Sequence, residues 1–269
     1  MININNVLGS LYKHKNLIYQ LSKRDILSRY RGSVAGIAWS VITPMLMLVL
    51  YTFVFSYVFK ARWGEAPELP REMYALVLYT GMILHTLFSD CLNRAPTLMQ
   101  NNTSYVKKVV FPLEALTWVT LFSALFQAMI SFLILIVAKI IITGNVEYTT
   151  LCLPLLLIPF VFTIIGVCWF ITAVGVYFRD IAHVTSILTT VLMFASPIFY
   201  PVSILPEKFR IFIYLNPLTY FIEEFRNILV WGLLPDIKNY IIVLSVSVFI
   251  SGLGYVFFQR TRKGFADVL

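Results

Sequence analysis

Residues 148–178 read YTTLCLPLLLIPFVFTIIGVCWFITAVGVYF, 31 consecutive positions without a charged side chain. A helix rising about 1.5 Å per residue needs roughly 20 apolar residues to cross the ~30 Å hydrocarbon of a bilayer. This run is long enough to do so. Working outward, Val34–Phe59 is uncharged over 26 residues, Ala115–Ala138 over 24, Val184–Pro206 over 23 and Asn239–Gln259 over 21. Met73 to about Ala95 makes a sixth candidate, interrupted by His85, Asp90 and Arg94. The predicted fold class is all-α and polytopic, with six transmembrane helices over 34–59, 73–95, 115–138, 148–178, 184–206 and 239–259. They form one transmembrane domain, 34–269, behind an N-terminal interface segment, 1–33. Composition agrees, because 59% of the residues are hydrophobic and 13% charged, against roughly 45–50% and about 25% in soluble domains. A soluble enzyme and a disordered chain are excluded. Three cysteines, Cys91, Cys152 and Cys168, lie in apolar runs without metal-ligand spacing, so a disulfide-stapled module is excluded too.

Charge placement orients the helices. With the N-terminus inside, the inner segments hold 13 basic residues and the outer ones eight, which is the asymmetry of the positive-inside rule. Both termini are therefore expected in the cytoplasm. The net charge of +8 reads as a topology signal facing anionic membrane lipid, with no nucleic-acid partner.

Catalytic chemistry is not visible. The chain has no G-x-x-x-x-G-K-[ST], no H-E-x-x-H and no G-x-S-x-G, and its three histidines, His14, His85 and His183, fall in three different segments. No cofactor or metal is expected on it. Asp90 lies about 26 Å down the second span at ~1.5 Å per residue, near the inner boundary. Arg94 follows at i+4, so the two read as a boundary ion pair. His85, deeper and alone, reads as an interhelical hydrogen-bonding group.

Between the spans three segments stand out. Ser10–Tyr30 reads as one basic helix, with Leu17, Ile18 and Leu21 on one face and Ile26, Leu27 and Tyr30 roughly opposite, so it has two packing partners. The inner loop from Pro96 to Pro112 carries Lys107 and Lys108 with no acid. Beyond the fifth span, Ser196-Pro197 and Tyr200-Pro201 break the helix, and Ile211–Ile222 supplies twelve apolar-leaning residues, too few to span and suited to a re-entrant helix. Non-helical backbone at membrane depth survives only where it is buried or lines a cavity, which points to an outer gate. Aromatics make up 16% of the chain. Tyr51, Phe55 and Phe59 recur every four residues on one helical face, with Phe194, Phe199 and Tyr200 beside the proline breaks. Such rings suit a conduit along which a sugar polymer slides.

Several of these stretches, taken in order, resemble the membrane subunits of ABC-2 type polysaccharide exporters over nearly the whole chain. They are Arg29-Tyr30-Arg31-Gly32-Ser33 with Gly36, Trp39 and Pro44; Lys107-Lys108-Val109-Val110-Phe111-Pro112; Tyr177-Phe178-Arg179-Asp180-Ile181; Ser196-Pro197-Ile198-Phe199-Tyr200-Pro201; and Asn216-Pro217. The likeness is greatest to the O-antigen exporter permeases, with capsule and teichoic acid exporters as relatives. The resemblance implies a channel-forming homodimer in the bacterial inner membrane, moving a lipid-linked polysaccharide and driven by two copies of a separate ATPase subunit that binds ATP and Mg. It also implies that the first and fifth spans line the conduit, and that Arg29, Arg31, Lys107, Lys108, Arg179 and Asp180 face the ATPase. An ABC-2 permease for a small hydrophobic molecule or drug is the alternative.

Overall fold

The computed structural model describes residues 4–59, 63, 71–107 and 111–269. Two N-terminal helices, α1 (Ile4–Lys13) and α2 (Lys15–Arg29), precede α3 (Trp39–Tyr51), which continues as a π-helical stretch, Thr52–Val58. Next come α4 (Arg71–Arg94), a single turn α5 (Thr103–Val106), α6 (Glu114–Thr143), α7 (Leu153–Tyr177) and α8 (Ile181–Phe194). Two short helices, α9 (Glu207–Leu215) and α10 (Pro217–Arg226), lead through a second π-helical stretch, Asn227–Trp231, to α11 (Ile237–Thr261) and α12 (Phe265–Val268).

Five stretches among the described residues are long and apolar enough to cross a membrane: Gly36–Val58, Met73–Arg94, Glu114–Thr143, Tyr148–Tyr177 and Ile237–Val268. The fifth expected span, 184–206, differs. Its helix α8 has 14 residues, about 21 Å at ~1.5 Å each. It stops at Ala195 because Pro197 and Pro201 withhold backbone donors and push the residues before them out of helical geometry. Two other expectations change. The basic N-terminal helix is split at His14, whose backbone (φ −113°, ψ 18°) leaves helical geometry; Ile18 and Leu21 of α2 are buried on the bundle while Leu27 stays exposed. The outer twelve-residue helix is also two elements, because Asn216 (φ −72°, ψ 121°) is extended before Pro217.

Of the five spans, the one with the poorest hydropathy is the most deeply buried. In α4, 78% of the apolar window is buried, against 17% for the first span. Polar groups in a bilayer are costly facing lipid and tolerable facing protein, so His85, Asp90 and Arg94 drive α4 inward. Indeed His85 Nε2 sits 2.9 Å from the Thr189 carbonyl of α8. Helix association in lipid rests on close packing and interhelical hydrogen bonds. Where α7 crosses α11, a Cβ on Gly166 would come within 2.6 Å of the Ser251 Cα, and one on Gly254 would collide with the Gly166 backbone. Thr163 donates to Ser247 across the same crossing at 2.9 Å.

Proline kinks inside two spans are repaired from neighbouring helices. Pro159 has no N–H for the Leu155 carbonyl, and the Tyr240 hydroxyl donates to it at 3.2 Å. Pro44 likewise frees the Ser40 carbonyl, which accepts Gln127 Nε2 of α6 at 2.8 Å. The second π-helical stretch is treated the same way: Thr149 Oγ1 donates to the Ile228 carbonyl at 2.7 Å and the buried Lys139 Nζ to the Leu229 carbonyl at 2.6 Å. Every such backbone group has to find a partner inside the protein, since lipid offers none.

Candidate functional site

Two regions hold the chemistry: a distal end, where α3 and α8 finish, and a basic end carrying α2 and the tail of α11.

At the distal end the aromatics assemble. Tyr51 and Phe55 have ring centroids 6.5 Å apart, and Phe55 and Phe59 5.7 Å. Phe55 stacks on Phe199 at 5.9 Å, and Phe199 on Phe194 at 6.0 Å. Phe59, Phe55, Phe199 and Phe194 thus form one ladder joining the π-helical part of the first span to the segment after α8. Tyr200 belongs to it through its hydroxyl, which donates to the Phe194 carbonyl at 2.8 Å. Phe59 and Phe194 are exposed, whereas Tyr51, Phe55, Phe199 and Tyr200 are half-buried. The sequence reading missed the rings behind the ladder. Tyr74 stacks on Phe55 at 5.9 Å, Tyr79 lies 6.4 Å from Tyr51, and Trp63 packs on Tyr74 at 5.8 Å. The off-stripe residues Trp39, Phe53 and Tyr57 are exposed.

The non-helical backbone from Phe194 to Phe199 shows why this segment holds its shape. Asn216 Nδ2 donates to the Ala195 carbonyl at 3.2 Å and the Ser196 hydroxyl at 2.8 Å. The Tyr74 hydroxyl donates to the Phe199 carbonyl at 2.6 Å. Arg226, only 2% exposed, gives Nε to the Val77 carbonyl of α4 at 2.9 Å, Nη2 to the Ile198 carbonyl at 2.8 Å and Nη1 to the Pro197 carbonyl. Its guanidinium lies 4.4 Å from the Trp63 ring centroid. A planar fork of five donors suits several carbonyls at once, and cation–π contact offsets part of the lost hydration. The signal for Arg226 was its position as a lone cation between Phe225 and the apolar Ile228-Leu229-Val230.

At the basic end Arg29 and the expected Asp90–Arg94 pair join in one clasp with Asp25, which the sequence reading had not assigned. Arg29 Nη2 lies 2.9 Å from Asp90, Arg94 donates to both oxygens of Asp25 at 2.8 and 2.9 Å, and the same-helix pairs close the square: Arg29–Asp25 at 3.8 Å and Arg94–Asp90 at 3.9 Å. The expected Asp90–Arg94 pair is therefore its weaker edge, and the short contacts run between helices. Burial lowers the Arg29 pKa, but the hydrogen bond and charge of Asp90 outweigh that and raise it. Arg31, Lys107, Arg179 and Asp180 stay on exposed turns, and Lys108 lies outside the described residues. The turn at 178–180 is tethered by Tyr177, whose hydroxyl donates to the Thr261 carbonyl at 3.0 Å, while Arg262 holds Glu114 at 2.9 Å.

This bundle of apolar helices, with a proline-broken segment pinned beneath aromatic rings, can be set against known families. The ABC-2 type transporter model matches residues 16–230. The chain belongs to the ABC-2 type transporter family. It is 25% identical over 264 residues, 97% of this chain and 98% of the other, to the O-antigen export system permease protein RfbA of Myxococcus xanthus. It is 23% identical over 256 residues (93% and 94%) to the polysialic acid transport protein KpsM of Escherichia coli. A third relative, the capsule polysaccharide export inner-membrane protein CtrC of Neisseria meningitidis, is 24% identical over 264 residues (96% and 95%). The ABC-2 match includes α2, the clasp, the ladder and Arg226, and ends just before the last span.

Proposed function

We propose that two copies of this chain form the channel of an exporter that moves a lipid-linked polysaccharide of the O-antigen type across the bacterial cytoplasmic membrane. Two copies of a separate ATPase subunit hydrolyse ATP with Mg and push on the basic end, which faces the cytoplasm together with both termini. One observation carries the reading: the ring ladder from Phe59 through Phe55 and Phe199 to Phe194, in an ABC-2 chain similar end to end to proteins named for polysaccharide export. Aromatic faces hold sugar C–H faces by apolar contact and phenols bond hydroxyls. Many weak contacts let a polymer advance without stalling. In this reading Tyr51, Tyr200 and the ladder line the path, Ser196–Pro201 with α9 and α10 forms the outer gate, and Arg29, Arg31, Lys107, Lys108, Arg179 and Asp180 meet the ATPase.

The test is complementation. A strain lacking its own O-antigen permease receives this chain with its cognate ATPase, and surface O-polysaccharide is measured against membrane protein level. Restored surface polysaccharide is expected. Its absence with both subunits inserted, or robust ATP hydrolysis by the purified chain alone, refutes the proposal. Relatives named for capsule and polysialic acid transport make a capsule polymer the second reading, tested in the same way in a capsule-deficient strain.

A further inference from the structure

Pro44 removes the donor that would have bonded the Ser40 carbonyl, and the substitute comes from outside the helix. Gln127, the sole side-chain amide of α6, donates Nε2 to that carbonyl at 2.8 Å. Its other atom, Oε1, accepts the Tyr30 hydroxyl at 2.9 Å. Tyr30 is the residue that ends α2, directly after Arg29 of the charge clasp. Just along α3, the Tyr79 hydroxyl of α4 donates to the Pro44 carbonyl itself at 3.0 Å. Tyr30, Pro44, Tyr79 and Gln127 border one cavity of about 280 Å³, which Arg29 and Asp90 of the clasp and Tyr51 of the ring stripe also line. The end of the interface helix is thus joined by two hydrogen bonds to the kink of the span that carries Tyr51, Phe55 and Phe59.

We propose that Gln127 is a positioning residue that passes displacement of α2 to the Pro44 kink of the first span, so that movement at the basic end tilts the ladder-bearing half of that span. A polar amide within a bilayer-crossing helix is costly unless it works, and the geometry assigns this one a partner on each side. The proline matters because an ordinary helix would keep its Ser40 carbonyl bonded to itself, with no socket for a neighbour. The inference rests on the export reading above.

Its competitor is a purely structural role, in which Gln127 only satisfies an orphaned carbonyl. Two variants separate them in the complex with the ATPase, scored as surface polysaccharide per folded permease and as ATP hydrolysis by the purified complex. Tyr30→Phe cuts the link to α2 and leaves the Ser40 carbonyl bonded. It is expected to lower export per ATP hydrolysed about fivefold, the worth of one hydrogen bond in coupling, with protein level and hydrolysis unchanged. Pro44→Ala returns a backbone N–H to the Ser40 carbonyl and so closes the socket that Gln127 uses. It is expected to keep wild-type levels of folded protein and to uncouple export from hydrolysis as Tyr30→Phe does, and Gln127→Leu added to it is expected to lower export per ATP no further. Export per ATP equal to wild type in Tyr30→Phe or in Pro44→Ala, or a further fall when Gln127→Leu is added to Pro44→Ala, overturns the proposal. If the wild-type complex itself exports nothing, it is the export reading that fails.

Discussion

Replacing Arg226 by Met tests whether the distal segment is held by its polar side chains. The long apolar side chain keeps much of the volume and removes the three donated hydrogen bonds. The Val77 carbonyl still has the N–H of Gly81 within α4. Pro197 and Ile198 sit in non-helical backbone, and each loses its donor. An unsatisfied buried carbonyl costs about 1–3 kcal/mol, so the pair costs about 2–6. Removing a buried cation recovers some desolvation, which leaves a net loss of about 3 kcal/mol. For a chain of this size that corresponds to a fall of about 6–12 °C in the melting transition. The assay is tryptophan fluorescence of the purified protein on heating. Trp63 stacks on Arg226 at 4.4 Å, so its emission should change before global melting in Arg226→Met and not in a variant that also carries Trp63→Phe. Arg226→Lys, a point charge without the fork, should fall between wild type and Met. Gly81→Ala gives a milder version, because its Cβ would sit 3.0 Å from Nη2. A melting transition of Arg226→Met within about 1 °C of wild type refutes the argument that these bonds hold the segment.

Other outcomes follow from the same geometry. Asp25→Arg opposes two arginines and should lower export strongly, and the folded amount with it, because the clasp residues are only roughly 30% exposed and like charges there are poorly screened. The swapped pair Asp25→Arg with Arg94→Asp should recover export, and failure to recover it removes the clasp from coupling. Gly166→Leu or Gly254→Leu should abolish folded protein in the membrane by forcing α7 and α11 apart, so a normal yield of either contradicts the crossing. Alanine at Tyr51, Phe55 and Phe59 together should reduce export per folded molecule far more than any single change. Because Tyr51 and Phe55 also pack on Tyr79, Tyr74 and Phe199, it should lower the folded amount as well. The exposed set Trp39, Phe53 and Tyr57, changed together, should leave the folded amount nearly intact, and equal export per molecule in the two triples rejects the ladder as the path.

Much of this molecule is legible in one dimension. Uncharged runs of more than 20 residues specify helices wherever the chain meets lipid, because backbone groups have no other way to be satisfied there. The four-residue spacing of Tyr51, Phe55 and Phe59 puts them on one face of any helix. Prolines at 44, 159, 197 and 201 mark where helices must bend or stop, although the extent of α8 shows that an uncharged run overstates a helix when prolines lie inside it. What only the tertiary structure decided is which span is most deeply buried and who repairs each break. Asp90 looked paired with its own-helix neighbour Arg94, yet its short contact is to Arg29, 61 residues earlier. Arg226 finds its carbonyls on residues 28, 29 and 149 positions away, and Gln127 reaches Tyr30 and Ser40 across gaps of 97 and 87. The physical reason is one of range. Hydropathy and periodicity act within a turn or a span, whereas an orphaned carbonyl or a buried charge takes whatever donor or counter-ion the packing brings within 3 Å, and that choice is made by the fold as a whole.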